Sequence, residues 1–217
     1  MRTSFGIALL VALFVATSGA WAGNVTVLNN NFALPSEANG ATSAGITDWT
    51  YFQTGVYNPT GTTAFPGGVP NGEVQVGWAN AGGDFYQVLS GTGDDLAANT
   101  TYTLTVDVGL QNIEGLTISP IVDLYAGTTL MGSLTLSSPG GLIPTSGNWD
   151  LWTLTVNSAN YGGEVGEPLE IYLASATTQT DFANVSLNAT SNVPEPAMFM
   201  LVGVGLLGLV TRRRFAK

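Results

Sequence analysis

Carboxylates carry nearly all the chemistry that this sequence offers. It has 15 Asp and Glu residues, no Cys and no His. Its five basic residues are Arg2, Arg212, Arg213, Arg214 and Lys217, so residues 3–211 contain no Lys or Arg. That excludes Ser–His and Cys–His nucleophilic machinery and thiolate zinc sites. What remains is paired-acid catalysis of the glycosidase kind, in which two carboxyls sit in different environments. Glu73, Asp84, Asp107, Glu114, Asp123, Asp150 and Glu170 are the candidates. On the polar phase of strands such groups read as solvated surface, so no catalytic residue is expected. Oxygen-ligand calcium is the other option, at Asp94-Asp95 or among Glu164, Glu167 and Glu170. No EF-hand or repeat-type calcium spacing is present. The expectation is therefore no cofactor and no resident metal, with weak calcium binding at most.

Aromatic side chains supply the remaining recognition chemistry. Trp78 and Trp152 fall on apolar phases and read as core. Tyr57 lies beside Asn58 in a long Gly/Pro/Thr-rich stretch, and Trp149 lies between Asn148 and Asp150. Those two are the ligand-binding candidates.

The elements that must position these residues read as strands. Tyr102, Leu104, Val106 and Val108 alternate with Thr101, Thr103, Thr105 and Asp107, and similar period-2 runs recur at 73–79, 150–157 and 168–175. Turn signals such as Pro70-Asn71-Gly72, Gly82-Gly83-Asp84 and Pro139-Gly140-Gly141 separate the runs. Strands are expected near 24–30, 47–53, 73–79, 84–90, 101–109, 120–126, 129–137, 150–157, 168–175 and 181–188, with a long loop over 54–70. The spacing predicts an all-β fold, an antiparallel two-sheet jelly-roll sandwich.

The two ends read differently from the body. Residues 1–22 have the pattern of a signal peptide. Arg2 precedes the apolar run 5–15, and Ala20-Trp21-Ala22 precedes a cleavage point before Gly23. At the other end come Pro194-Glu195-Pro196, an uncharged apolar run over 197–210, and Arg212-Arg213-Arg214. The run reads as a transmembrane helix, though 14 residues fall short of the ~20 of a permanent span. The expected organisation is a signal peptide over 1–22, a β-sandwich ectodomain over 23–192 and a sorting signal over 193–217. With a net charge of −10 and its basic residues confined to the ends, the chain is not expected to bind nucleic acid.

The C-terminal elements, in that order, resemble the PEP-CTERM sorting signal of bacterial exosortase substrates. Pro194, Glu195 and Pro196 match its tripeptide, and Arg212, Arg213 and Arg214 match its basic stop. The resemblance implies export by the Sec machinery, an inner-membrane intermediate, recognition by exosortase, and a final place at the cell surface or outside it. A second resemblance runs through the body. Asn31-Phe32-Ala33-Leu34-Pro35, Asp48-Trp49-Thr50, Pro70 to Val76, Phe85 to Leu89, Tyr102 to Val106 and Asn184-Val185-Ser186-Leu187 form an ordered series. It is similar to the jelly-roll ectodomain of PEP-CTERM proteins and to galactose-binding-like and carbohydrate-binding modules. In the resembled pattern acids occur where this chain has Ala33 and Ala183, which puts the calcium site of those modules in doubt; Asp181 and Glu37 are the nearby substitutes.

From these readings the expected function is non-enzymatic: an exported surface or extracellular-matrix protein, associated with exopolysaccharide. The alternatives are a carbohydrate-binding module with a defined glycan and, third, a carboxylate-dependent glycoside-active enzyme.

Overall fold

Threonine, valine and aromatic residues at alternate positions fill pleated, half-buried surfaces well, and the chain uses them to build strands almost throughout. The computed structural model describes residues 23–91 and 93–192. The segments holding Ala20, Ala22, Pro194, Glu195, Pro196, Arg212, Arg213, Arg214 and the apolar run over 197–210 lie outside the described residues. Ten strands are present among the described residues: β1 (Gly23–Val25), β2 (Thr42–Ala44), β3 (Thr50–Tyr57), β4 (Val76–Val88), β5 (Thr100–Leu110), β6 (Pro120–Ala126), β7 (Thr129–Leu134), β8 (Asn148–Asn157), β9 (Leu169–Ser175) and β10 (Thr180–Ser191). The only helical turns among these residues are three-residue 3-10 turns, and none of their helices is long and apolar enough to cross a membrane.

Every pairing is antiparallel, in the order β7-β6-β9-β4-β10-β5-β8, with β3 on β4, β2 on β3 and β1 on β10. The expected all-β antiparallel sandwich is what forms. Two layers arise because β4 changes partner along its length: residues 77–79 pair with β10 and residues 83–88 pair with β9. The expected turn at Gly82-Gly83 is instead the bend that carries one continuous strand between the layers. Gly82 has φ +71°, and a Cβ on Gly83 would stand 2.6 Å from the Gln53 carbonyl oxygen. At the far margin β7 meets β8, where Gly132 leaves room for Val156 and Leu154.

The core is a single apolar cluster. Leu104, Val106, Trp152 and Phe182 of one layer meet Phe85, Leu124, Ile171 and Leu173 of the other. Phe32, Trp49, Phe85 and Phe182 form its aromatic centre, with ring centroids 5.3–5.7 Å apart. Two buried glutamines pin the N-terminal segment to this centre. Gln75 Nε2 donates to Phe32 and Pro35 carbonyls at 2.8 and 2.9 Å, and Gln87 Nε2 donates to Leu28 and Asp48 carbonyls at 3.0 and 2.9 Å. Satisfying buried polar groups in this way avoids the desolvation cost of an unpaired amide.

Candidate acidic site beneath the loop 58–75

The outer face of the β4–β10–β5–β8 layer is roofed by the loop 58–75. Trp149 Nε1 donates to the Gly68 carbonyl at 3.1 Å, Asn184 Nδ2 to the Pro70 carbonyl at 3.3 Å, and the Asn112 amide to the Ala64 carbonyl at 2.8 Å. Phe65, at the middle of the loop, is buried and stacks on Trp149, centroids 4.4 Å apart and planes 27° from parallel. Residues 54–57, expected in the loop, complete β3 instead.

Asp181 lies on this face. It stands directly opposite Trp78 of β4 and Gly109 of β5, so the three share one side of the sheet. Its neighbours Phe182 and Val108 point into the core. Although it faces away from the core, Asp181 is only 1 % exposed. Gln179 Nε2 donates to its Oδ1 at 3.2 Å, while Oδ2 meets no hydrogen-bond donor among the described residues. Burial of the charge pushes its pKa up to about 7, against the weaker opposing effect of the Gln179 and Gln111 amides. Burial thus favours the protonated carboxyl well above the usual carboxylate range.

Beside it opens a cavity of about 330 Å³, lined by Thr42, Tyr57, Trp78, Asn80, Gln111 and Gln179. The two amides that touch Asp181 are thus also cavity wall. Trp78 is held in place by its Nε1, which donates to Thr42 Oγ1 at 2.9 Å and to the Val56 carbonyl at 3.1 Å. Gly55 permits this, since a Cβ there would stand 2.7 Å from the Trp78 ring. On the opposite side of Asp181, the Trp149 indole lies over Gly109, 2.5 Å from where a Cβ would be. Asp107 shares the face, diagonal to Asp181 across β5 and β10, at a Cα separation of about 7–8 Å for such pairs. It accepts from Asn184 Nδ2 at 2.9 Å, and burial raises its pKa above the usual carboxylate range.

The two aromatic candidates from the sequence both border this face. Tyr57 is part of the cavity wall, its hydroxyl 3.0 Å from Thr62 Oγ1. Trp149 lines a separate hollow of about 250 Å³ with Gly67, Pro70 and Gly147. Gly23 begins β1, paired with Ala189. Trp78, expected in the core, stands on the covered outer face; its apolar phase marked burial but not on which side of the sheet. Asp181 was weighed in the sequence only as a calcium substitute. Gln179 and Asp181, two positions apart on either side of Thr180 and so on one face of a strand, were the available signal. Ala183 is buried within the sheet, and no group of three or more His, Cys, Asp or Glu among the described residues is placed to hold a metal ion.

The fold and site define a jelly-roll protein with a buried carboxyl beside a cavity walled by aromatic and amide side chains, and sequence comparison places it in a family. Residues 23–188 match the HpiC1-like model, described as HpiC1 cyclase, and the chain belongs to that family. Residues 192–214 match the PEP-CTERM protein-sorting motif, which implies exosortase processing and export. A Stig cyclase, Fisc of Fischerella sp. TAU, solved with (3Z)-3-(1-methyl-2-pyrrolidinylidene)-3H-indole, is 20 % identical with a TM-score of 0.66, covering 79 % of this chain and 100 % of that one. An apo cyclase from Fischerella sp. gives 20 % and 0.67, over 79 % and 98 %. The carbohydrate-binding module TmCBM61, solved with beta-1,4-galactotriose, is 10 % identical with a TM-score of 0.47, over 76 % and 97 %. The likeness to the two cyclases is one of fold. No curated protein is significantly similar in sequence. The expectation of a non-enzymatic chain is overturned by membership of a cyclase family. That expectation weighed carboxylates only as a glycosidase-type pair and read those on strands as solvated surface, but a single desolvated carboxyl is a sufficient acid.

Proposed function

We propose that this chain is an exported cyclase-type enzyme that uses Asp181 as a general acid. The observation that carries the proposal is the fully buried Asp181 carboxyl, pushed up to about 7, against a cavity walled by Trp78, Tyr57, Gln111 and Gln179. The protonated carboxyl gives its proton to an unsaturated carbon or a carbonyl oxygen of a small substrate. The resulting cation is attacked intramolecularly and the ring closes. The Asp181 carboxylate then takes a proton back, so the net change is an isomerisation. The Trp78 and Tyr57 rings in the cavity wall offer π faces to the cation. Asp107 and Asn184 set the charge beneath the same roof.

The substrate class is a flat aromatic heterocycle with a short unsaturated arm, which matches the cavity and the indole ligands carried by the Fischerella cyclases. The segment 1–22 is removed before Gly23, residues 23–192 form the working domain, and 193–217 is the sorting signal read by exosortase through Pro194, Glu195, Pro196 and the Arg cluster. The enzyme then acts at the cell surface or in the surrounding matrix.

The test uses 4-(1H-indol-3-yl)butan-2-one, a ligand of one Fischerella cyclase, as a probe followed by tryptophan fluorescence. Binding that is present at pH 6, weakens above about pH 7 and is lost in Trp78→Ala supports the reading. Binding that is independent of pH and unaffected by Asp181→Asn or Trp78→Ala refutes it.

A further inference from the structure

A second polar site lies on the other layer, well separated in the fold from the loop 58–75. On β6, Val122 and Leu124 point into the core, so Asp123 and Tyr125 face outward. On β9, Ile171 and Leu173 point inward, so Glu170 and Tyr172 face outward; on β4, Asp84 and Tyr86 do the same around Phe85. Register brings these six together. Asp123 is opposite Tyr172, which is opposite Tyr86; Tyr125 is opposite Glu170.

Asp123 is the telling member. An outward carboxylate on a flat sheet should be well solvated, yet this one is only 6 % exposed. It stands between Ser133 of β7 and Tyr172 of β9, its cross-strand neighbours on either side. The Tyr125 and Tyr172 rings stand at 78° to one another, centroids 6.4 Å apart. Asp123 Oδ1 is buried and lacks a well-formed hydrogen bond among the described residues, and the Ser133 hydroxyl across the strand pair is a weak partner of the carboxyl. Its Oδ2 accepts only a long bond from the Tyr125 hydroxyl, 3.3 Å, where a charge-assisted O–H···O bond is about 2.5–2.7 Å. A better donor can displace that hydroxyl.

We infer that this face binds the primary ammonium group of a small organic amine at Asp123, with the amine's carbon skeleton packed on the tyrosine rings. The donor and acceptor inventory selects that chemistry. None of the six residues carries an N–H donor, and the Tyr125 and Tyr172 hydroxyls are turned toward Asp123 and Asp84. The face therefore presents acceptors and π surfaces, which suit a cation with N–H donors. A glycan's hydroxyls could donate to these carboxylates but carry no charge to balance them. Residues 23–192 contain no Lys, Arg or His, so nothing within the domain supplies the missing cation. The raised pKa values of Asp84, Asp123 and Glu170, and that of Tyr172 at about 12, fit carboxylates desolvated without a counter-ion.

The inference is independent of the Asp181 reading. The experiment is calorimetric titration of the full chain at low salt with 2-phenylethylamine and with its neutral analogue 2-phenylethanol. The amine is expected to bind and the alcohol not. Asp123→Asn should weaken the amine about tenfold, as loss of a charge-assisted bond does, and Tyr125→Phe should leave binding equal or tighter because a competing hydroxyl is gone. Asp181→Asn should leave it unchanged. Near-UV circular dichroism checks that Asp123→Asn folds; if it does not, Asp84→Asn is expected to weaken the amine in its place. Equal binding of alcohol and amine, or an Asp123→Asn (or folded Asp84→Asn) variant that binds the amine as wild type does, overturns the inference. So does saturation by calcium chloride or cellohexaose where the amine fails to bind.

Discussion

Burial decides what Asp181 can do. The unfolded carboxyl titrates near 3.8 and the folded one near 7, so the folded chain holds the proton more tightly. Stability from this group is intact below about pH 4, falls as pH rises between those values, and is fully lost above about pH 7. The penalty at pH 8 is on the order of 4 kcal/mol, since each pKa unit corresponds to about 1.4 kcal/mol. Asp181→Asn keeps the shape and an oxygen for Gln179 but removes the ionisable proton. It should stabilise the chain by that order at pH 8 and change it little at pH 4, as read by urea denaturation at the two pH values. A site built for function rather than stability shows this trade. The residue was hard to single out in the sequence because Trp78, Gly109 and Gln111, which stand beside it, come from distant parts of the chain. Tyr57 and Trp149 were legible because each sits where an aromatic interrupts a polar, turn-rich stretch. Their placement around one roofed face was not, since it depends on how 58–75 folds back.

Elements explain why those residues meet. Strands β5, β6, β8, β9 and β10 fall within a few residues of where the period-2 pattern placed them, because each alternates between core and solvent. The pattern failed where glycine serves packing rather than turning. Gly82-Gly83 reads as a hairpin signal, yet it is the bend of a single strand, and β2, only three residues long, leaves no periodicity to read. Gly83→Ala should cost about 1–3 kcal/mol, the usual range for overpacking, because its Cβ would press on the Gln53 carbonyl, which is backbone and cannot swing aside. Gly109→Ala should act differently. Its Cβ would displace the Trp149 indole and with it the stack on Phe65. The expected outcome is a loosened roof, seen as faster amide exchange through 64–70, with the strands β5 and β10 still protected. Unchanged exchange in that loop would mean that the stack does not hold it.

At the scale of the whole molecule, charge and address dominate. Residues 3–211 hold all 15 acids and no Lys or Arg, so the fixed side-chain charges there only repel. Salt should raise the melting temperature between 10 mM and 0.5 M NaCl, as screening shortens the Debye length from about 30 Å towards 4 Å. The raised pKa values of Asp84, Asp107, Asp123, Glu170 and Asp181 add a higher melting temperature at pH 5 than at pH 8. Calorimetry over both series checks this; a melting temperature that is flat in salt and pH would mean that the acids are already neutralised. The PEP-CTERM motif was legible because its parts are short, ordered and local. In a strain lacking exosortase, the chain should keep its C-terminal segment and change its location; the same product mass and location as in the parent strain would refute sorting through that motif. The cyclase family was not legible, since its signal is spread across residues 23–188 rather than gathered in a motif. The chemistry proposed for this chain rests on one proton. Carbon-13 NMR of the aspartate carboxyls across pH, with the Asp181 signal assigned by its loss in Asp181→Asn, measures that proton directly. The account predicts a midpoint near pH 7, and a midpoint near 3.8 would contradict it.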